Sequence, residues 1–93
     1  MILLIMHMKV SAKKRKELSQ TITSLISSIR AEEGCRRCDF FQTMEDENIL
    51  CLFEEWDTQK HLEKHRQSEC FQVLRGAMIL LERPCEVISY SKP

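Results

Sequence analysis

The sequence predicts an α+β fold whose elements follow one another as βαββαβ, in one domain over residues 1–93. Three observations carry that prediction. Apolar residues change along the chain from β-type runs to a 3.6-residue helical repeat and back. Polar turn residues, Glu45 to Asn48, separate the two middle runs. A chain of 93 residues buries only about two-thirds of its unfolded surface, too little to divide between two cores.

Ile2 to Val10 reads as the first strand. Ser11 and the lysines after it start a long helix on which Leu18, Ile22, Leu25, Ile26 and Ile29 form one stripe, and Gly34 is expected to close it as a left-handed cap. Arg37 to Met44 is the second strand and Ile49 to Trp56 the third, joined as a hairpin by the polar turn. Thr58 is placed to cap a short helix carrying Leu62 and His65. Ser68 caps a further helix to Leu81 with Phe71, Leu74, Met78 and Leu81 on one side, weakened at Gly76 and stopped by Pro84. Cys85 to Tyr90, centred on Val87 and Ile88, is the last strand.

The first strand is apolar on both faces: Ile2, Leu4, Met6, Met8 and Val10 on one, Leu3 and Ile5 beside His7 and Lys9 on the other. Helices can shield only one face of a four-stranded sheet. The other is expected to pack on a second sheet, most economically that of an identical subunit, so the sequence points to a homodimer.

Fourteen basic and fourteen acidic side chains cancel, so no whole-molecule field steers the chain to a nucleic-acid backbone or an anionic membrane. The run Lys13-Lys14-Arg15-Lys16 lacks interleaved aromatics and reads as a solvated first helical turn. The apolar run Ile2 to Met6 is too short to span a bilayer and has no basic segment before it. Five cysteines scattered through strands and helices fit a reducing compartment better than a disulfide framework, so the expected location is the cytoplasm.

The most informative stretch is Phe53-Glu54-Glu55-Trp56-Asp57-Thr58, followed by His61, Leu62, His65, Ser68 and Phe71. A strand ending in Glu-x-Trp, then a short helix, a His, a Ser-containing corner and a Phe resembles the antibiotic biosynthesis monooxygenase family, matched here by Glu54, Trp56, His65, Ser68 and Phe71. Glu32-Glu33-Gly34-Cys35 extends the likeness. The resemblance implies a ferredoxin-like subunit with a four-stranded antiparallel sheet, pairing as a dimeric α/β barrel. It also implies a monooxygenase that oxidises a quinol or other phenolic small molecule with O2 and without a bound cofactor. The alternative is a noncatalytic ligand-binding or stress-response module of the same fold.

Oxygenation without metal or flavin needs a base that frees a phenolate to reduce oxygen, and a dry cavity. His65 is the leading base, since an imidazole titrates near neutral pH and the position matches the family's histidine. His7 is the second candidate, expected to face the same pocket, although a lone strand histidine is more often a hydrogen-bonded core residue. Trp56 and Phe71 could form apolar pocket walls; packing is the commoner use of such aromatics. Glu54 could orient an imidazole or pair with Arg75, against the commoner condition of a surface carboxylate. Haem-degrading relatives use an Asn, a Trp and an axial His at positions that correspond by spacing to His7, His65 and Arg75. None of those residue types is kept, and arginine cannot supply a neutral nitrogen to iron.

Cys35-Arg36-Arg37-Cys38 and His61-x-x-x-His65 are each spaced as ligand pairs, together a possible Cys2His2 set. Their 22-residue separation is unlike that of a zinc finger, and neighbouring residues on a strand point to opposite faces, so the expectation is no metal. The cysteine pair follows the C-terminal end of a helix, where the macrodipole disfavours a thiolate, which argues against thioredoxin-like chemistry.

Overall fold

The computed structural model describes residues 1–92. Strands β1 (Ile2–Lys9), β2 (Cys35–Gln42), β3 (Ile49–Trp56) and β4 (Glu86–Ser91) form one sheet in the order β2-β3-β1-β4. Every pairing is antiparallel. Helix α1 (Ala12–Arg30) crosses between β1 and β2, and the second crossover holds α2 (Gln59–His65), α3 (Glu69–Ala77) and a 3-10 turn, Met78–Leu80. This is the ferredoxin-like βαββαβ arrangement. β1 and β3, the strands apolar on both faces, take the two central places, where neither leaves an unpaired edge.

Register assigns each side chain to a face. Ile2, Leu4, Met6 and Met8 pair with Trp56, Glu54, Leu52 and Leu50 on the side covered by helices. There Leu18, Ile22 and Ile29 of α1, Leu62 of α2 and Leu74 of α3 complete the buried core. Each such side chain, taken fully out of water, contributes about 1.5–3 kcal/mol before ordering costs. The other face carries Leu3, Ile5, Phe53, Phe41, Ile88 and Tyr90 with no helix over it, and the last three are 48%, 41% and 55% exposed.

Several boundaries differ from the sequence reading for local reasons. Val10 leaves the ladder to bridge Leu81. Helix α1 stops at Arg30 rather than Gly34, because Glu32 N–H bonds back to Ile29 O at 3.0 Å and tightens the last turn. Gly34, at φ 82°, is instead the third residue of a turn closed by Cys35 N–H to Glu32 O at 3.1 Å, a position that demands positive φ. β2 begins at Cys35 because a bulge between Cys35 and Arg37 absorbs Arg36. The last helix tightens into the 3-10 turn just after Gly76.

The two side-chain caps assigned from the sequence are made: Thr58 Oγ1 accepts from His61 N–H and Ser68 Oγ from Phe71 N–H, each at 3.2 Å. The basic first turn of α1 has no acidic residue, but Arg15 reaches outward to Asn48 Oδ1 at 2.8 Å and Glu47 at 3.2 Å, spreading its charge over the β2–β3 turn. Among the described residues no helix is long and apolar enough to cross a membrane.

Candidate functional site

At the end of β3 the strand pleat turns Glu54 and Trp56 to the same, helix-covered face. Helix α2 starts at Gln59, after two intervening residues, and its cap at Thr58 fixes its phase so that Leu62 and His65 both point inward. His65 therefore lies directly over Trp56. The rings stack with centroids 4.5 Å apart, and Phe71 at the start of α3 meets the imidazole edge-on at 5.5 Å. His65 is only 1% exposed.

Two carboxylates bracket the buried imidazole. Nδ1 of His65 lies 2.9 Å from Glu32 Oε1. Nε2 lies 3.5 Å from Oε1 of Glu54, a charge-pairing rather than hydrogen-bonding distance. Glu54 is also 1% exposed, and its Oε1 accepts from Trp56 Nε1 at 2.9 Å. Burial, the largest influence, pushes the Glu54 carboxyl up from the ordinary carboxylate range; His65 and the Trp56 N–H oppose that rise. Glu32 Oε2, Glu54 Oε2 and His65 Nε2 are buried and have no hydrogen-bond partner among the described residues. Three such atoms in one cluster are unusual for a purely structural network, since each costs about 1–3 kcal/mol.

Glu32 reaches this cluster because its turn is clamped from behind: Asp57 N–H donates to Gly34 O at 2.8 Å, tying the turn to the start of α2. His61 packs against Gly34 so closely that a β-carbon there would sit 2.2 Å from its Cγ. A cavity of about 390 Å³ opens between these pieces. Glu32 and His65 form its inner end, His61 and Lys64 of α2 one wall, Glu33 the rim, and Gln67 with Ser68 the corner before α3.

Of the residues singled out in the sequence, the structure brings together Glu54, Trp56, His65 and Phe71. His7 does not join them. It pairs with Cys51 and Glu86 on the opposite face of the sheet, its Nδ1 3.8 Å from Cys51 Sγ, because odd-numbered β1 residues point away from the helices. Trp56 and Phe71 pack on the imidazole and are not among the cavity's lining residues. Glu54 is buried rather than a surface carboxylate and is engaged by Trp56 and His65, whereas Arg75 is exposed on α3. Glu32 was missed as a site residue: it lies in a turn outside any periodic element, and only its place in the Glu32–Cys35 stretch pointed to it.

The Cys2His2 set does not assemble. His65 is held between glutamates and His61 Nδ1 lies 2.8 Å from Thr58 Oγ1. Among the described residues no group of three or more His, Cys, Asp or Glu side chains is placed to hold a metal ion. Burial, then the nearby Glu54 charge, pushes the Cys38 thiol up to about 12, and Cys35 is raised by the same two causes. Both are thiols at neutral pH, through burial and the Glu54 charge.

Fold and site thus define a ferredoxin-like α+β protein with a buried carboxylate–imidazole–carboxylate cluster under a small cavity. The model of the antibiotic biosynthesis monooxygenase family matches residues 1–76, and the chain belongs to that family. It is 33% identical over 90 residues, 95% of this chain and 94% of the other, to a Bacillus subtilis (strain 168) protein called "Putative monooxygenase YcnE". Among solved structures, a conserved protein from Methanosarcina mazei Go1 superposes with TM-score 0.92 at 28% identity, covering 99% of this chain and 92% of that one. Rv0793 from Mycobacterium tuberculosis gives TM-score 0.92 at 27% identity, with 99% and 94% covered.

Proposed function

We propose that this protein is a monooxygenase that oxidises a quinol or other phenolic small molecule with O2, using no bound cofactor. The observation that carries the reading is the His65 imidazole, buried between Glu32 and Glu54 at the inner end of the cavity. Such a substrate is its own electron donor: losing the phenolic proton raises the energy of its electrons, and the anion can then reduce oxygen. The protein's task is to take that proton, hold it where water does not compete, and return it to the reduced oxygen. His65 is the proton shuttle in this reading, because each ring nitrogen faces a carboxylate oxygen that can give or receive a proton. Trp56 and Phe71 fix the plane of the ring, and Glu54 serves as the inner proton store.

The working unit in this reading is a homodimer, supported by the uncovered apolar face with Leu3, Ile5, Phe53, Ile88 and Tyr90. The cytoplasm is the proposed location, supported by five cysteines that are all free thiols. The test is oxygen consumption with a panel of reduced quinols and polyphenols, corrected for autoxidation, comparing wild type with His65→Gln. Uptake that exceeds buffer and falls at least about 100-fold in the variant supports the reading. Uptake no faster than buffer across the panel leaves the noncatalytic binding module.

A further inference from the structure

The two nitrogens of the His65 ring are held unequally. Nδ1 stands 2.9 Å from Glu32 Oε1, a hydrogen-bond distance, whereas Nε2 stands 3.5 Å from Glu54 Oε1 and has no hydrogen-bond partner among the described residues. An imidazolium would carry N–H groups at both positions, and a carboxylate facing the second would close to about 2.8 Å. One short and one long contact fit a neutral ring with its proton on Nδ1 and a bare lone pair on Nε2. Which nitrogen carries the proton in a neutral imidazole is set by the hydrogen bonds the ring makes. Trp56 stacks on the ring and Phe71 meets its edge, so they fix its plane, but neither offers an acceptor to Nδ1. Glu32 does.

We infer that Glu32 is a positioning residue: its carboxylate accepts from Nδ1–H and locks His65 in that tautomer, so that Nε2 is the nitrogen that takes up and releases protons, with Glu54 as its partner. Burial makes Glu54 the carboxyl that a proton enters first, which leaves Glu32 as the charged acceptor. The exchange is a heterolytic transfer: the Glu54 O–H bond breaks, its electron pair stays on the carboxylate, and the Nε2 lone pair takes the proton. Two carboxyls and one ring then still share the same protons, so the cluster keeps one net negative charge in either form. Transfer needs the carboxyl to close on the ring by roughly half an ångström, to hydrogen-bonding distance. The other titratable groups acting on the cluster are the Cys35, Cys38 and Cys70 thiols, each raised chiefly by burial and uncharged at neutral pH, and the Arg66 cation at the α2 C-cap. The 2.8 Å bond from Asp57 N–H to Gly34 O ties the Glu32 turn to the start of α2, so acceptor and ring are held in one frame. The inference rests on the proton-shuttle reading of His65 and adds which nitrogen works and which residue decides it.

The test is a long-range proton–nitrogen correlation spectrum of the full chain with isotope-labelled histidine at neutral pH, in which a bare imidazole nitrogen resonates far downfield of a protonated one. His65→Gln identifies the His65 signals against those of His7 and His61 by their disappearance. Wild type is expected to show Nδ1 protonated and Nε2 bare. Glu32→Leu, of similar size but without an acceptor, should move the proton to Nε2. Glu32→Gln, whose carbonyl can still accept, should return it to Nδ1, a rescue that packing alone would not produce. If Glu32→Leu fails to fold, Glu32→Asp, with its carboxylate withdrawn by one methylene, carries the same expectation. A wild-type ring protonated on Nε2, or on both nitrogens, overturns the inference, as does a folded Glu32→Leu that keeps Nδ1–H. Because the spectrum needs no substrate, the expected tautomer in a protein that consumes no oxygen would sink the monooxygenase reading alone. Where uptake is seen, kcat should fall at least about tenfold in Glu32→Leu with KM little changed; uptake indifferent to that change would sink the positioning role alone.

Discussion

Replacing Gly34 by alanine tests whether the Glu32–Cys35 turn positions the site. At φ 82° a β-carbon costs about 1–2 kcal/mol of backbone strain. That carbon would also lie 2.2 Å from His61 Cγ and 2.5 Å from its Cβ, so the His61 side chain must swing away. Doing so breaks its 2.8 Å contact with Thr58 Oγ1, worth about 0.5 kcal/mol at this half-open position. The sum is about 2 kcal/mol, or roughly 10 °C in Tm for a domain this small. Gly76→Ala is the internal control: it sits in α3, no atom lies within 4 Å of the added carbon, and it should stabilise by about 0.5 kcal/mol. Urea unfolding followed by circular dichroism measures both. A Gly34→Ala cost below about 0.5 kcal/mol, no larger than the Gly76 effect in magnitude, would refute the claim that this turn is held in a glycine-only conformation against His61.

Other perturbations separate the parts of the cluster. Glu54→Gln should flatten the pH dependence of stability: because burial raises the folded carboxyl above its unfolded value, the protein is most stable below the unfolded pKa and loses that increment as pH rises through the folded one. Denaturant melts of wild type and variant between pH 4 and pH 8 read it; no change in slope would mean that Glu54 is not protonated preferentially in the fold. Trp56→Phe removes the 2.9 Å N–H bond to Glu54 and should cost about 1–3 kcal/mol by calorimetry, with the Glu54 carboxyl rising further. Lys9→Met, by contrast, breaks a partly exposed pair with Asp46 and should cost under about 1 kcal/mol, less at high salt.

The order and pairing of elements were legible because each rests on local pattern: the α1 stripe, the Glu45–Asn48 turn, and the Thr58 and Ser68 caps all appear where residue type and spacing put them. The site was legible in part for the same reason. Glu54 and Trp56 share a face by strand period, and the Thr58 cap sets His65 above them. What failed depended on tertiary placement. His7 was assigned to the pocket without a register; the pairing of Ile5 with Phe53 and His7 with Cys51 puts odd β1 residues on one face with odd β3 residues, away from Glu54 and Trp56. The burial of Glu54 could not be read from its neighbours in sequence, since it depends on α2 bringing His65 against it. Glu32 escaped because turn residues have no period to betray their direction.

That division carries a consequence for the chemistry. Burying two glutamates and a histidine together is a poor way to stabilise a small domain, because desolvation of each charge offsets much of the attraction between them, and three of their polar atoms remain unpaired. Apolar residues of similar volume at Glu54 and His65 would pack against Trp56 and Phe71 with no such cost. The cluster is also held with more apparatus than a core needs: a positive-φ turn clamped to Asp57 just before α2, a capped seven-residue helix and two aromatic rings orient one imidazole. Packing explains the aromatics, but it does not explain acceptors and a ring nitrogen left unpaired beside an open cavity. The proposed proton exchange with a bound ligand would, since the groups that give and receive the proton cannot all be satisfied by the protein in advance.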